Sequence, residues 1–117
     1  MKPASAKAKG RNAENLWVDW LQTHGWRYAE RRRLAGSDDQ GDITGTPGVT
    51  WEVKSQKVYK LPEWMRETEQ ERLNTGDDVA VLVIKPNGVA QPDRFWCVVT
   101  PQVLAHLLNE AGYGATH

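Results

Sequence analysis

"GDITGTPGVTWEVKS" (residues 41–55) reads as two short extended segments, rich in Val, Ile, Thr and Trp, on either side of a Pro-Gly turn. Strand side chains alternate, so Val49, Trp51 and Val53 share one face while Thr50, Glu52 and Lys54 share the other. A hairpin turning symmetrically about Pro47 sets Thr44 opposite Thr50 and Asp42 opposite Glu52. Facing residues have Cβ atoms roughly 4.5–5.5 Å apart, and like charges at that separation destabilise the pair. Two acids therefore meet in a segment whose other residues look made for packing, with Lys54 as the same-face neighbour of Glu52.

Two readings of that face stand side by side. In one, Asp42, Glu52 and Lys54 are a solvated surface, with the lysine as counterion. In the other, a divalent cation bridges the acids, since Mg²⁺ is typically held by one or two carboxylates together with waters and phosphate oxygens. Such an ion acidifies a water and offsets charge on a phosphate, and Lys54 is placed to orient the nucleophile or stabilise developing negative charge. Glu14, from the first helix, is a further candidate for the same site.

Outward from this stretch, the chain alternates helical and extended patterns. In "RNAENLWVDWLQTHG", Ala13, Leu16, Trp17, Trp20 and Leu21 follow the i, i+3, i+4, i+7, i+8 spacing of one buried stripe, with Gly25 as the stop. "WRYAERRR" reads as an outer strand and "LAGSDDQG" as a loop. "LPEWMRETEQERLNTG" reads as a mostly charged helix, with Pro62 in the first turn, Gly76 as terminator, and Leu61, Trp64, Met65 and Leu73 as its buried contacts. "VAVLVIK" is apolar at nearly every position, as in a strand covered on both faces and reached by a parallel crossover. "FWCVVT" is another strand. "TPQVLAHLLNEAG" is a last helix, capped by Thr100, with Pro101 at its start and Leu104, Leu107, Leu108 and Ala111 turned inward. The expected fold class is α/β, with a central mixed five-stranded sheet flanked by helices in the order α-β-β-β-α-β-β-α.

The 117 residues fit one domain, expected over 9–117 behind a mobile basic tail at 1–8. A hydrophobic share of 39% and a charged share of 26% are those of a soluble globular protein, and some of the six tryptophans are available for an interface. Net charge is zero, but residues 1–60 hold 11 basic against 7 acidic side chains while 61–117 hold 4 against 8, so one side can be basic. Arg11, Arg27, Arg31, Arg32, Arg33, Lys54, Lys57 and Lys60 lie in the basic half and are candidates to track phosphates, the alternative for the Arg31–Arg33 run being a solvated strand end. Cys97, alone of its kind, excludes an intrachain disulfide or thiolate zinc site and is expected to be buried and inert. No stretch approaches the roughly 20 apolar residues of a membrane span, and residues 1–10 lack the apolar core of a signal peptide, so a cytoplasmic protein is expected.

The pattern of an acid, a hairpin and then Glu-x-Lys resembles the PD-(D/E)xK nuclease superfamily. "KGRNAE" opening the first helix, "RLAGS" after the first strand, "GD", "EVKS", a strand ending "VIKP" and one containing "FW" are together similar to archaeal-type Holliday-junction resolvases, including viral and phage homologues, over about Lys9 to Val99. The resemblance implies a restriction-endonuclease-like fold and a homodimer that nicks four-way DNA junctions symmetrically, recognising shape over sequence, with Mg²⁺ or Mn²⁺ and no organic cofactor. It implies Asp42, Glu52 and the Val53 carbonyl as metal ligands, supported by Glu14, with Lys54 as the active-site lysine. Ser37 and Arg33 match residues near the scissile phosphate. Gly41 departs from the proline of the superfamily's name, a change expected to be harmless. Asn15 departs from a common arginine, leaving Arg11 to supply that DNA contact. The same chemistry on flaps, ends or ordinary duplex is an alternative, as is a DNA-binding dimer without catalysis.

Overall fold

A computed structural model of the chain describes residues 6–32 and 41–114. The elements are α1 (Ala6–Gln22), β1 (Glu30–Arg31), β2 (Ile43–Thr44), β3 (Val49–Lys54), α2 (Leu61–Thr75), β4 (Val79–Ile84), a 3-10 turn (Pro92–Arg94), β5 (Trp96–Val98) and α3 (Pro101–Glu110). The class is α/β with mixed pairing. The strands do not form one five-stranded sheet: β1 and β2 pair apart from a three-stranded sheet of order β3-β4-β5. The helix α1 begins within the expected tail, so residues 6–8 are helical, in keeping with the helix-forming Ala and Lys of that stretch.

The crossover holds. β3 and β4 run parallel, in register from Val49↔Val79 to Lys54↔Ile84, with α2 between them in sequence. All six residues of β4 are buried, because helices cover both sides of it. On one side, Trp51, Val53, Val81 and Val83 pack with Ala13, Trp17, Val18 and Leu21 of α1. On the other, Leu82 and Ile84 pack with Trp64 of α2. Strand alternation thus sends the odd-numbered residues of β3 to α1 and its even-numbered residues, Thr50, Glu52 and Lys54, to the α2 side.

Three expectations of burial fail. Along α2, Trp64 is buried but Leu61 and Leu73 are exposed, and the inward positions one and two turns beyond Trp64 are Thr68 and Glu71. A polar helix face therefore covers a polar strip of sheet. In α3, Thr100 caps the first turn through a hydrogen bond from the Val103 N–H (3.3 Å), yet Val103 is its buried residue while Leu104, Leu107, Leu108 and Ala111 stand exposed. Cys97 is exposed too, on β5 at the edge of the sheet, with burial of its surroundings still pushing its thiol pKa up.

The hairpin differs from a symmetric ladder. β2 pairs with β1, setting Thr44 opposite Glu30 and not Thr50, and the strand expected across residues 26–33 contracts to two residues. Trp26 and Ala29 are tied up in turns instead, their N–H groups donating to Leu21 and Trp26 carbonyls at 3.0 Å each. The turn itself forms where expected, with Val49 N–H donating to the Thr46 carbonyl at 3.0 Å.

Candidate active site

Although β2 and β3 do not pair as a regular ladder, Asp42 reaches β3 by two hydrogen bonds. Its N–H donates to the Trp51 carbonyl (2.9 Å) and its Oδ2 accepts from the Val53 N–H (2.7 Å). The Asp42 carbonyl is occupied on the other side by the Arg32 N–H at 2.8 Å. The aspartate is thereby stitched between two segments, with its carboxylate turned along β3. Gly41 makes this entry possible: it sits at φ +92°, and a Cβ there would lie 2.9 Å from the Trp51 carbonyl oxygen. Proline, locked near φ −65°, cannot adopt that backbone.

Asp42 and Glu52 meet. Glu52 is 6% exposed, which rules out the reading of this face as a solvated surface. The Asp42 carboxyl is pushed up to about 8, first by burial and then by the charge of Glu52, within hydrogen-bonding range, with Glu14 adding a smaller push; the Val53 N–H pulls the other way. A buried and a half-buried acid with insufficient positive charge between them make a donor set suited to a hard divalent cation. The Val53 carbonyl belongs to the same edge, because the N–H and C=O of one strand residue lean the same way, and the Val53 N–H already points at Asp42.

Lys54 completes the cluster. Its Nζ lies 3.5 Å from Glu52 Oε1 and 3.0 Å from Glu67 Oε2, with the Trp64 ring centroid 5.9 Å away. Burial pulls the ammonium's pKa down, but Glu52, Glu67 and Asp42 more than reverse this, and the net direction is up. In this arrangement Lys54 is a cation, suited to stabilising negative charge and not to accepting a proton.

The remaining candidates are placed unevenly. Glu14 projects from α1 within electrostatic reach of Asp42, but its Oε2 is held by Arg31 Nε at 2.9 Å. Among the described residues, no three acidic, histidine or cysteine side chains are arranged to enclose an ion, so Asp42 and Glu52 form a pair and not a triad. Arg32 reaches the Ile43 carbonyl (3.5 Å) and lines a 230 Å³ cavity with the turn at residues 43–47. Arg11, Lys57 and Lys60 are exposed. Arg33 and Ser37 lie outside the described residues.

Two residues escaped the sequence reading. Glu67 belongs to a helix that looked merely charged, but it sits one turn beyond Trp64, the residue that anchors α2 over Glu52 and Lys54. That spacing was the available signal. Arg31, a candidate phosphate contact or solvated strand end by sequence, pairs with Glu14 at 2.9 Å. No match to this chain is found among protein-family models, curated proteins or solved structures. Among the described residues, no helix is long and apolar enough to cross a membrane.

Proposed function

We propose that this protein is a metal-dependent endonuclease that resolves four-way DNA junctions, hydrolysing phosphodiester bonds by paired symmetric nicks. The observation that carries the reading is the meeting of half-buried Asp42 with buried Glu52 beside Lys54, at the edge where Val53 turns its carbonyl toward the same space. Asp42 and Glu52 would hold Mg²⁺ or Mn²⁺ with the Val53 carbonyl. The ion, when bound, supplies water activation and charge neutralisation at the phosphate.

The chain's own residues account for the rest. Asp42, whose carboxyl keeps its proton well above the ordinary range, would have to be deprotonated to hold the ion. Lys54 stands where an ammonium can meet a phosphate oxygen as charge develops. Glu14, with Arg31 on it, trims the field at Asp42 and is a supporting group in this reading. Exposed Arg11, Lys57 and Lys60, with Arg32, supply phosphate contacts, which position DNA without reading its sequence. The exposed leucines of α3 support a homodimer, the arrangement that paired nicks require.

The test is cleavage of a synthetic four-way junction and a linear duplex, with Mg²⁺ and with chelator. The expected outcome is symmetric nicking of the junction with little duplex cutting, lost in Asp42→Asn and Glu52→Gln while junction binding persists. Variants that cut as well as the parent would remove these residues from the mechanism. Preferred cutting of linear DNA would move the substrate to ordinary duplex.

A further inference from the structure

We infer that Glu67 is a positioning residue: by sharing the Lys54 ammonium with Glu52, it weakens the lysine's hold on that carboxylate and leaves it more available to a divalent cation. The inference rests on the nuclease reading above for the role of Glu52, and extends it to a residue on α2 that no motif includes.

The geometry is a competition for one cation. Lys54 has two anionic neighbours on different elements, and the nearer is Glu67, at 3.0 Å against 3.5 Å for Glu52. Glu52 is the deeper of the two, its side chain 8% exposed where that of Glu67 is 41% exposed. An ammonium left with Glu52 alone would close on it, since an unpaired buried carboxylate attracts whatever cation can reach it. Lys54 and the incoming ion would then contend for the same oxygens. With Glu67 present, the lysine has a second anion at the rim of the site, on the side away from the strand. Trp64 fixes the direction: the residue anchors α2 on the sheet and sets its ring beneath the ammonium, 5.9 Å from Nζ to centroid. When Glu52 turns to a divalent ion, the like charges of ion and ammonium repel, and Glu67 is the anion that retains Lys54 within reach of the site.

The experiment measures Mn²⁺ binding to the full chain by isothermal titration calorimetry, without DNA, so that affinity is read apart from activity. Glu67→Gln is expected to weaken Mn²⁺ binding by about two- to fivefold, the upper part of the range of one partly exposed ion pair. Lys54→Met, which removes the competitor, is expected to bind Mn²⁺ more tightly than the parent. Adding Glu67→Gln to Lys54→Met is expected to change nothing further, because the effect runs through the lysine. Circular dichroism melts confirm that each variant is folded. Parental affinity in Glu67→Gln would overturn the inference and leave the nuclease reading standing. An equal loss in both backgrounds would also overturn it, showing that Glu67 acts by its own charge. A parent that binds no Mn²⁺, and is indistinguishable from Asp42→Asn, would overturn the nuclease reading itself, and this inference with it.

Discussion

Asp42 shows how one side chain can be structurally anchored and still electrostatically ill at ease. The Val53 N–H holds Oδ2 at 2.7 Å, yet burial and Glu52 together keep the proton on the carboxyl up to about 8. In the unfolded chain that proton leaves near the ordinary value of 3.8. Between those limits the folded state binds the extra proton, so this residue withdraws stability as pH rises through the interval. Asparagine keeps an oxygen for the Val53 N–H and has no proton to lose. In metal-free buffer, Asp42→Asn is therefore expected to gain stability relative to the parent from about pH 4 to about pH 8 and to level off above, as read by thermal melts across pH. A difference that stays flat would place Asp42 in a far more watery setting than its burial indicates. At this scale the sequence set Glu52 and Lys54 side by side, because alternation on β3 is a local rule. The partnership of Glu67 with Lys54 was hidden, since it joins residues on elements whose relative placement no local rule sets.

At the scale of the element, α2 shows where pattern reading goes astray. Leu61, Trp64, Met65 and Leu73 look like its buried side, yet Leu73 is 60% exposed and Trp64 alone of the four is buried. The sheet beneath decides the matter: β3 offers Thr50, Glu52 and Lys54 on that side, and Thr68 and Glu71 turn to meet them. Thr68 donates its hydroxyl back to the Trp64 carbonyl at 2.7 Å, satisfying itself within the helix. Trp64→Ala is expected to destabilise the fold by about 3–5 kcal/mol, the range for emptying a buried aromatic site. Leu73→Ala should stay within about 0.5 kcal/mol, as an exposed position does. Urea unfolding measures both, and a large loss from Leu73→Ala would mean that α2 packs the other way round. The end of α2 and the start of α3 were legible in advance, because Gly76 in the left-handed region, its N–H on the Arg72 carbonyl, and Thr100 as a cap are matters of a few neighbouring residues.

For the whole molecule, the apolar side of α3 is the surface left uncovered within the protomer. Leu104, Leu107 and Leu108 recur at helical spacing and were expected to face a core, but the buried contact of this helix is Val103. A helix of ten residues draws little stability from itself, and tertiary or quaternary packing must supply the rest. Under the proposed homodimer, replacing all three leucines by serine is expected to yield monomers in sedimentation velocity. Circular dichroism should change little, since the side chains are solvent-exposed within the protomer. A parent that sediments as a monomer throughout would remove this face from the dimer.

The features legible from neighbouring residues follow from short-range physics. Alternation put Glu52 and Lys54 on one face, a fully apolar β4 required cover on both sides and hence the parallel crossover, and caps marked the end of α2 and the start of α3. Only the tertiary structure decided that the strands divide into two sheets, that Asp42 bonds to β3 through its side chain, that Glu67 shares Lys54, and that the leucines of α3 stay outside. Each of these depends on which surfaces are left over once the core around β4 has closed, a balance of competing contacts that no window of neighbouring residues contains.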